Sequence, residues 1–307
     1  MQIEDLLVIL KVAEFRSITA AATSLDMRTA TASAAIKRVE ASLGAELFTR
    51  TTRSLKVSAA GERFLPQCEE ALKMLEKAKM NLQKDLGIID GTIRIALSSD
   101  LGRNIVAPWL DEFLLQYPSV ALSAHISDSN IDFYRDSVDM ALRYGAPTDA
   151  SMYGFKICDV PRVLCASPEY LNENGTPTTP DELLNHNALS YQLHDILQNE
   201  WVFNEEKRSH KVKLTSNRGS NDGDLVRRWC VSGKGIAIKS SLDMSQDLLS
   251  GKVVAIMPTY KPTPTELWLA LPSRQSITPT VRLLRDMLRD KTKQTLEELK
   301  SEGIVEG

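Results

Sequence analysis

The sequence has no long apolar run and little of the residue chemistry that builds metal or redox centres. No stretch of its 307 residues approaches the ~18 uninterrupted apolar residues of a membrane span, and the opening MQIEDLLVILK carries acids where a secretory leader carries positive charge. A cytoplasmic protein without membrane attachment is therefore expected. The four cysteines, Cys68, Cys158, Cys165 and Cys230, are scattered, with no CxxC pair, and read as reduced thiols. The four histidines, His125, His186, His194 and His210, show no ligand spacing. GxSxG, P-loop and GxGxxG signatures are also missing, and SGKG at 232–235 reads as a helix-to-strand turn. Neither a metal nor a resident cofactor is expected.

What is present suffices for two or three domains, because 43% of the residues are hydrophobic. The net charge of −3 disfavours a nucleic-acid partner only if it is spread evenly, and it is not. Residues 28–56 hold Arg28, Lys37, Arg38, Arg50, Arg53 and Lys56 against Glu40 and Glu46 alone. A basic surface of this kind attracts phosphate.

Periodicity organises the first 58 residues into three short helices and a hairpin. Ile3, Leu6, Leu7, Leu10 and Ala13 recur at helical spacing on one face. Ser17 can cap a second helix, whose Ala20, Ala21 and Ala22 permit close packing. After a turn at Asp26 and Met27, a third helix turns Ala32, Ile36, Val39 and Leu43 inward and Thr29, Ser33, Ala34 and Lys37 outward, and Gly44 ends it. A tight turn between the second and third helices is the geometry that presents a recognition helix to the major groove. Residues 47–57, LFTRTTRSLKV, suit a two-stranded wing.

The segment from Ser17 to Phe64 resembles the LysR-type transcriptional regulators from end to end. It joins the alanines of the second helix, the series Ile36, Val39, Glu40, Leu43 and Gly44, then Leu47-Phe48, Arg50-Thr51-Thr52-Arg53 and Ala60-Gly61, at unbroken spacing. Two departures fall in the reading head: Arg28 stands where the family usually has a capping serine, and Thr29 where it often has glutamine. An arginine has no acceptor oxygen, so the helix forfeits ~1 kcal/mol there unless Thr29 takes over. The operator should accordingly differ from those of better-known relatives.

A long helix is expected from Ser58 to about Leu86, with Leu65, Cys68, Leu72, Leu75, Lys79, Leu82 and Leu86 alternating three and four residues apart. That is a heptad seam, read as a dimer contact through Leu65, Cys68, Leu72, Leu75 and Leu82; burial within one domain is the plainer alternative. Pro66 implies a kink near residue 62 or a helix starting at Leu65. GIIDG at 87–91 reads as a hinge. Beyond it, TIRIALSS, VALSAHIS and VDMALRYG read as strands, the first two separated by a helix from Leu101 to Tyr117 and the third preceded by a short helix, giving a parallel βαβ sheet. RVLCAS opens a second α/β unit, and TELWLALP with Val281, Leu284 and Leu288 returns to the first.

The resulting fold class is α/β with an all-α winged helix-turn-helix head, a long linker helix and two Rossmann-like subdomains of periplasmic-binding-protein type, the last being what the resemblance implies. The expected boundaries are 1–58 for the head, 59–86 for the linker, 87–91 for the hinge, 92–161 with 266–290 for subdomain I, 162–265 for subdomain II and 291–307 for a charged tail, read as frayed or solvated.

In the head, Thr29, Ser33, Ala34 and Lys37 are expected to face the groove, Arg28 and Arg38 to lie near phosphates, Arg53 to enter the minor groove, and Arg50 to join it or brace the wing. Ligands of open α/β sheets bind beyond the carboxyl ends of strands, which selects Ser98, Ser99, Ser127, Asp128, Arg143, Ser220 and Asn221 as effector-binding candidates. Arg143 among hydroxyls suits a small carboxylate. Asp100, Asp128 and Asp222, if they face the cleft, suit an amine or several hydroxyls instead. The resemblance implies double-stranded promoter DNA, a second copy of the chain, a dimer of dimers, a small-molecule co-inducer and RNA polymerase as partners. An enzyme and a periplasmic-type binding protein are the alternatives; the first lacks a catalytic motif, and the second has no use for the head.

Overall fold

The structure is a computed structural model, and it describes residues 2–50, 55–85, 89–133, 135–147, 149, 152–193, 196–205 and 208–305, with side chains also left aside at 50, 73, 76–85, 193 and 197. The chain divides into two compact units, Met1–Leu86 and Gly87–Gly307.

The first unit comprises α1 (Ile3–Phe15), α2 (Ile18–Ser24), α3 (Thr29–Leu43), an antiparallel hairpin of β1 (Phe48–Arg50) and β2 (Leu55–Val57), and α4 (Ala59–Asp85). Ser17 caps α2 by accepting the Ala20 N–H, and Gly44 ends α3 in the left-handed region at φ 63°. The core gathers Val8, Ile9 and Val12 of α1 with Ala21, Ala22, Ala32, Ala35, Ile36, Val39, Leu47 and Phe48. The buried face of α1 is thus rotated from the one expected: Ile3 and Leu7 are exposed, because Val8 and Ile9 pack inward instead.

Two contacts fix the wing to this core. The Glu40 carboxylate accepts the N–H groups of Leu47 (2.8 Å) and Phe48 (3.2 Å), so α3 itself holds the start of β1. Gly61 lies so close to the wing that a Cβ there would meet the Leu47 carbonyl oxygen at 2.3 Å, which accounts for the glycine of the Ala60-Gly61 pair. Helix α4 is continuous from Ala59 through Pro66, with Ser58 capping it by accepting the Gly61 N–H, so it does not begin at Leu65. Its first third belongs to the head: Leu65 and Cys68 pack into the core described above and are not free for a partner. Leu72 is buried, whereas Met74 and Leu75 are exposed; the side chain of Leu82 lies outside the described residues.

The second unit runs through β3 (Gly91–Leu97), a π-helical turn (Leu101–Val106), α5 (Ala107–Gln116), β4 (Val120–Ile126), β5 (Met140–Tyr144), β6 (Tyr153–Val160), β7 (Arg162–Ala166), α6 (Pro168–Asn174), a 3-10 turn (Pro180–Asn185), β8 (Leu189–Leu193), β9 (Ile196–Leu197), β10 (Glu200–Glu205) and β11 (Arg208–Lys213). It continues with β12 (Arg218–Ser220), α7 (Gly223–Val231), β13 (Ala237–Ser240), α8 (Ser245–Leu249), β14 (Val254–Ala255), β15 (Lys261–Pro262), β16 (Thr265–Leu271) and α9 (Pro279–Ser301). No helix precedes β5 among the described residues; turns fill that place.

Lobe I is one sheet in the order β4-β3-β5-β16-β6. Strands β3, β4 and β5 are parallel, as βαβ logic requires, but β16 runs antiparallel to both β5 and β6, so the sheet is mixed and not parallel throughout. A returning strand enters from the opposite end, and alternation in the sequence carries no direction. Among the described residues, lobe II has three three-stranded sheets, β12-β8-β9, β13-β7-β14 and β11-β10-β15, the first two joined by a parallel bridge between Ala188 and Ile236.

Helix α9 overturns the expected tail. Val281, Leu284 and Leu288 sit in the core of lobe I, while Leu296, Leu299 and the following Val305 sit in that of lobe II. Thr292 is fully buried between them. The charged residues of this stretch are the outer face of an amphipathic helix.

Candidate DNA-reading head and ligand cleft

The head exposes the N-terminal half of α3. Arg28, Thr29, Ala34 and Lys37 are exposed and Ser33 is half-buried, in agreement with their expected outward direction. Ala30 and Thr31 are exposed beside them, two positions the periodicity argument passed over. Arg28 makes no side-chain cap, and Thr29 does not replace it, so the first N–H groups of α3 carry no side-chain acceptor.

Arg38 is engaged within the head. Its Nε donates to Asp5 Oδ2 at 3.0 Å, and a second nitrogen completes a bidentate pair with a carboxylate that is almost fully buried. The hydrogen bond from Arg38 holds the Asp5 carboxyl below its ordinary pKa. Arg38 therefore ties α3 to α1, while its side chain stays about half exposed. Arg53 lies outside the described residues, and of Arg50 only the backbone is described, in β1.

In the second unit, the segments that follow the carboxyl ends of β3 and β4 meet the N-terminus of α7. Asp128 joins the two lobes: its Oδ1 accepts the Ser99 N–H at 2.7 Å, and its Oδ2 accepts both the Ser99 hydroxyl and, at 2.7 Å, the Gly223 N–H of α7. Ser99 Oγ in turn accepts the Asp224 N–H at 3.2 Å. A carboxylate at a helix N-terminus meets unpaired N–H groups and the positive end of the helix dipole. Two candidates, Ser99 and Asp128, are thus engaged with each other and with lobe II. Ser220 accepts the Asp222 N–H as a turn residue, Ser127 pairs with Ser129, and Asn221 is exposed.

Behind this junction lies a buried charge network. Lys239 pairs with Asp100 and donates to the Gly223 carbonyl at 3.0 Å; Arg227 pairs with Asp247 at 2.6 Å; Asn104 donates to Asp100 at 2.9 Å and to Asp224 at 2.8 Å. Burial opposes the Lys239 charge, but Asp100 and Asp243 more than offset it and raise its pKa. Tyr144 of β5 donates to Asp243 at 2.6 Å, and burial, reinforced by the Asp100 charge, pushes the Asp243 carboxyl up to about 7. Asp222 caps α7 through the Leu225 N–H and pairs with Arg103 at 3.2 Å.

Arg143 stands apart from that network. Its Nη2 is buried without a hydrogen-bond partner, and so is the Oγ of Ser98. Burial lowers the Arg143 pKa, with the charge of Asp128 and the presence of Tyr191 acting the other way. A buried donor left without a partner costs ~1–3 kcal/mol, more when charged. Tyr191, in the middle of β8 and opposite Ser220 in the β8–β12 pair, lies within electrostatic reach of Arg143 from lobe II, and burial raises its phenol to about 12. Sequence reasoning missed Tyr191 because it did not recognise β8, and the strand-end rule that selected Ser98 and Arg143 does not pick out a residue in the middle of a strand.

A three-helix head with a wing, followed by an α/β unit whose two lobes meet where strand ends face a helix N-terminus, defines the architecture of a ligand-responsive DNA-binding regulator. Residues 3–62 match the bacterial regulatory helix-turn-helix protein, lysR family, and residues 88–293 match the LysR substrate binding domain. The chain is 30% identical to the HTH-type transcriptional regulator DmlR of Escherichia coli over 94% of its own length and 93% of that protein's. It is 28% identical to the HTH-type transcriptional activator TtdR of the same organism, over 84% of this chain and 83% of the other. Among solved structures, CrgA, a LysR-type transcriptional regulator from Neisseria meningitidis, superposes with a TM-score of 0.60 at 26% identity, covering 95% of this chain and 99% of that one. The chain belongs to the LysR family: it is a LysR-type transcriptional regulator with a helix-turn-helix DNA-binding domain and a substrate-binding regulatory domain. Among the described residues, no helix is long and apolar enough to cross a membrane.

Proposed function

We propose that the chain works in the cytoplasm as a non-catalytic switch. It reads promoter DNA with Thr29, Ser33, Ala34 and Lys37 of α3, places the wing arginines Arg50 and Arg53 at the minor groove, and changes its hold on DNA when a small molecule enters the cleft. The observation that carries this reading is the start of α3, where exposed Arg28 adjoins N–H groups that no side chain caps. A DNA phosphate supplies the acceptor that the family's capping serine would otherwise provide.

Dimerisation is assigned to the part of α4 beyond the head's own core, starting at the exposed Met74 and Leu75, with pairing of two dimers and contact with RNA polymerase following from family membership. Two heads require two related half-sites ~10 bp apart or a multiple of it. The experiment is band-shift titration on promoter DNA at several salt concentrations. Lys37→Ala should weaken binding and flatten the salt dependence by roughly 0.9 log units per log unit of salt for each lost phosphate contact. Arg38→Ala should lower the stability of the head while leaving that slope alone. Equal slopes for Lys37→Ala and the unaltered protein would remove Lys37 from the interface.

A further inference from the structure

We propose that the ligand of the cleft is a small organic acid whose carboxylate pairs with Arg143, flanked by the hydroxyls of Ser98 and Tyr191; this rests on the reading of the cleft as the effector site. The acids that would argue for an amine are already engaged. Asp100 is matched by Lys239, Asp222 by Arg103 and the Leu225 N–H, and Asp128 by three donors from Ser99 and Gly223. A carboxylate offers about four lone-pair sites, so Asp128 has little capacity left for a ligand ammonium.

The Arg143 side chain, by contrast, makes no hydrogen bond or ion pair among the described residues, and its buried Nη2 has no partner. Its position is set by register. Leu97 of β3 pairs with Leu142 of β5 in a parallel ladder, so Ser98 and Arg143 stand side by side at the next step, on the face shared by Ala96 and Ala141. Ser98 Oγ is likewise buried without a hydrogen-bond partner, and it can donate to an anion. Tyr191 belongs to lobe II, paired across β8–β12 with Ser220, which lies just ahead of the Gly223 N–H that Asp128 holds, so one carboxylate held by all three would touch both lobes. A planar guanidinium with free N–H groups matches a carboxylate in shape as well as charge.

The test uses the purified full-length protein in a buffer free of carboxylates. Thermal unfolding is followed by tryptophan fluorescence, since Trp109, Trp201, Trp229 and Trp268 all lie in the second unit. The probes are acetate through octanoate, lactate, pyruvate and benzoate, each against its amide, with inorganic phosphate and sodium chloride as separate arms. At least one carboxylate should raise the unfolding temperature saturably while its amide does not. Arg143→Gln should weaken that response about tenfold to a hundredfold, and Arg143→Lys should restore part of it. Without ligand, Arg143→Gln should be no less stable than the unaltered protein, an outcome that a purely structural arginine would not give. The proposal is overturned if no carboxylate acts, if amides or phosphate act equally well, or if Arg143→Gln responds normally. Promoter binding is measured on the same samples: a carboxylate that binds without changing DNA occupancy sinks the switch reading and leaves the ligand class intact.

Discussion

Replacing Asp128 with alanine should loosen the regulatory unit from both sides of its cleft at once. The carboxylate accepts the Ser99 N–H, the Ser99 hydroxyl and the Gly223 N–H, and the last of these opens α7 in the opposite lobe. Each bond contributes ~1 kcal/mol net, and the favourable placement at a helix N-terminus adds ~0.3–1 kcal/mol, so the loss should be about 3–4 kcal/mol. Asp128→Asn keeps an acceptor oxygen and the side-chain volume but sets an NH2 among donors, and should cost about half as much. Urea unfolding read by tryptophan fluorescence measures the first quantity, because the head contains no tryptophan. Hydrogen exchange measures the second: in the alanine variant the amides of Ser99 and Gly223 should exchange faster together, although 124 positions separate them. Faster exchange confined to the loop around residue 128, with an unchanged unfolding midpoint, would show that the lobes are held by something else.

Three further outcomes follow from named contacts. Gly61→Ala should destabilise the head by ~1–3 kcal/mol and reduce DNA affinity, because the added Cβ falls 2.3 Å from the Leu47 carbonyl oxygen; an unaltered band shift and unaltered amide protection of residues 3–62 would contradict this. Asp243 has a folded-state pKa of about 7 against an ordinary 3.8, so the folded protein keeps a proton that the unfolded chain has lost. The stability of the second unit should thus decline as pH rises from about 4 to about 7, by at most roughly 4 kcal/mol. Asp243→Asn should flatten much of that decline, with Asp100, also raised by burial, contributing the remainder; a variant with the unaltered profile would refute the assignment. Truncation after Lys291 removes Leu296, Leu299 and Val305 from the lobe II core, at ~2 kcal/mol for each side chain, and should abolish the cooperative tryptophan transition.

What could be read from the sequence was whatever depends on near neighbours. The Ser17 cap, the Gly44 stop, the wing and the Ala60-Gly61 pair each express a rule spanning a few residues, and the structure has them in place. The pairing of Arg38 was not legible because its partner, Asp5, lies 33 positions earlier; outward-facing and α1-facing directions on α3 differ by a fraction of a turn. The start of α4 was ambiguous for a different reason. Spacing of three and four residues is the same whether a helix packs on its own domain or on a partner, so Leu65 and Cys68 satisfied the heptad while lying in the head core. In α9, abundant charge hid the spacing of Thr292, Leu296 and Leu299, which only a second lobe alongside makes meaningful. The Asp128 bridge and the isolation of Arg143 are products of three chain segments meeting, and no local pattern announces them.

Helix α9, about 35 Å long at 1.5 Å per residue, has its first half embedded in one lobe and its second half in the other. The chain also passes between the lobes at Pro161 and just ahead of Thr265, but those passages are short extended links, whereas the helix is stiff. Moving one lobe against the other strains this helix as well as the Asp128 bridge and the Asp100–Lys239 pair. Any shift between the lobes is therefore resisted by a covalently continuous rod as well as by polar contacts, and a substitution midway along that rod, at Thr292, should alter the response to ligand without touching the ligand or the DNA.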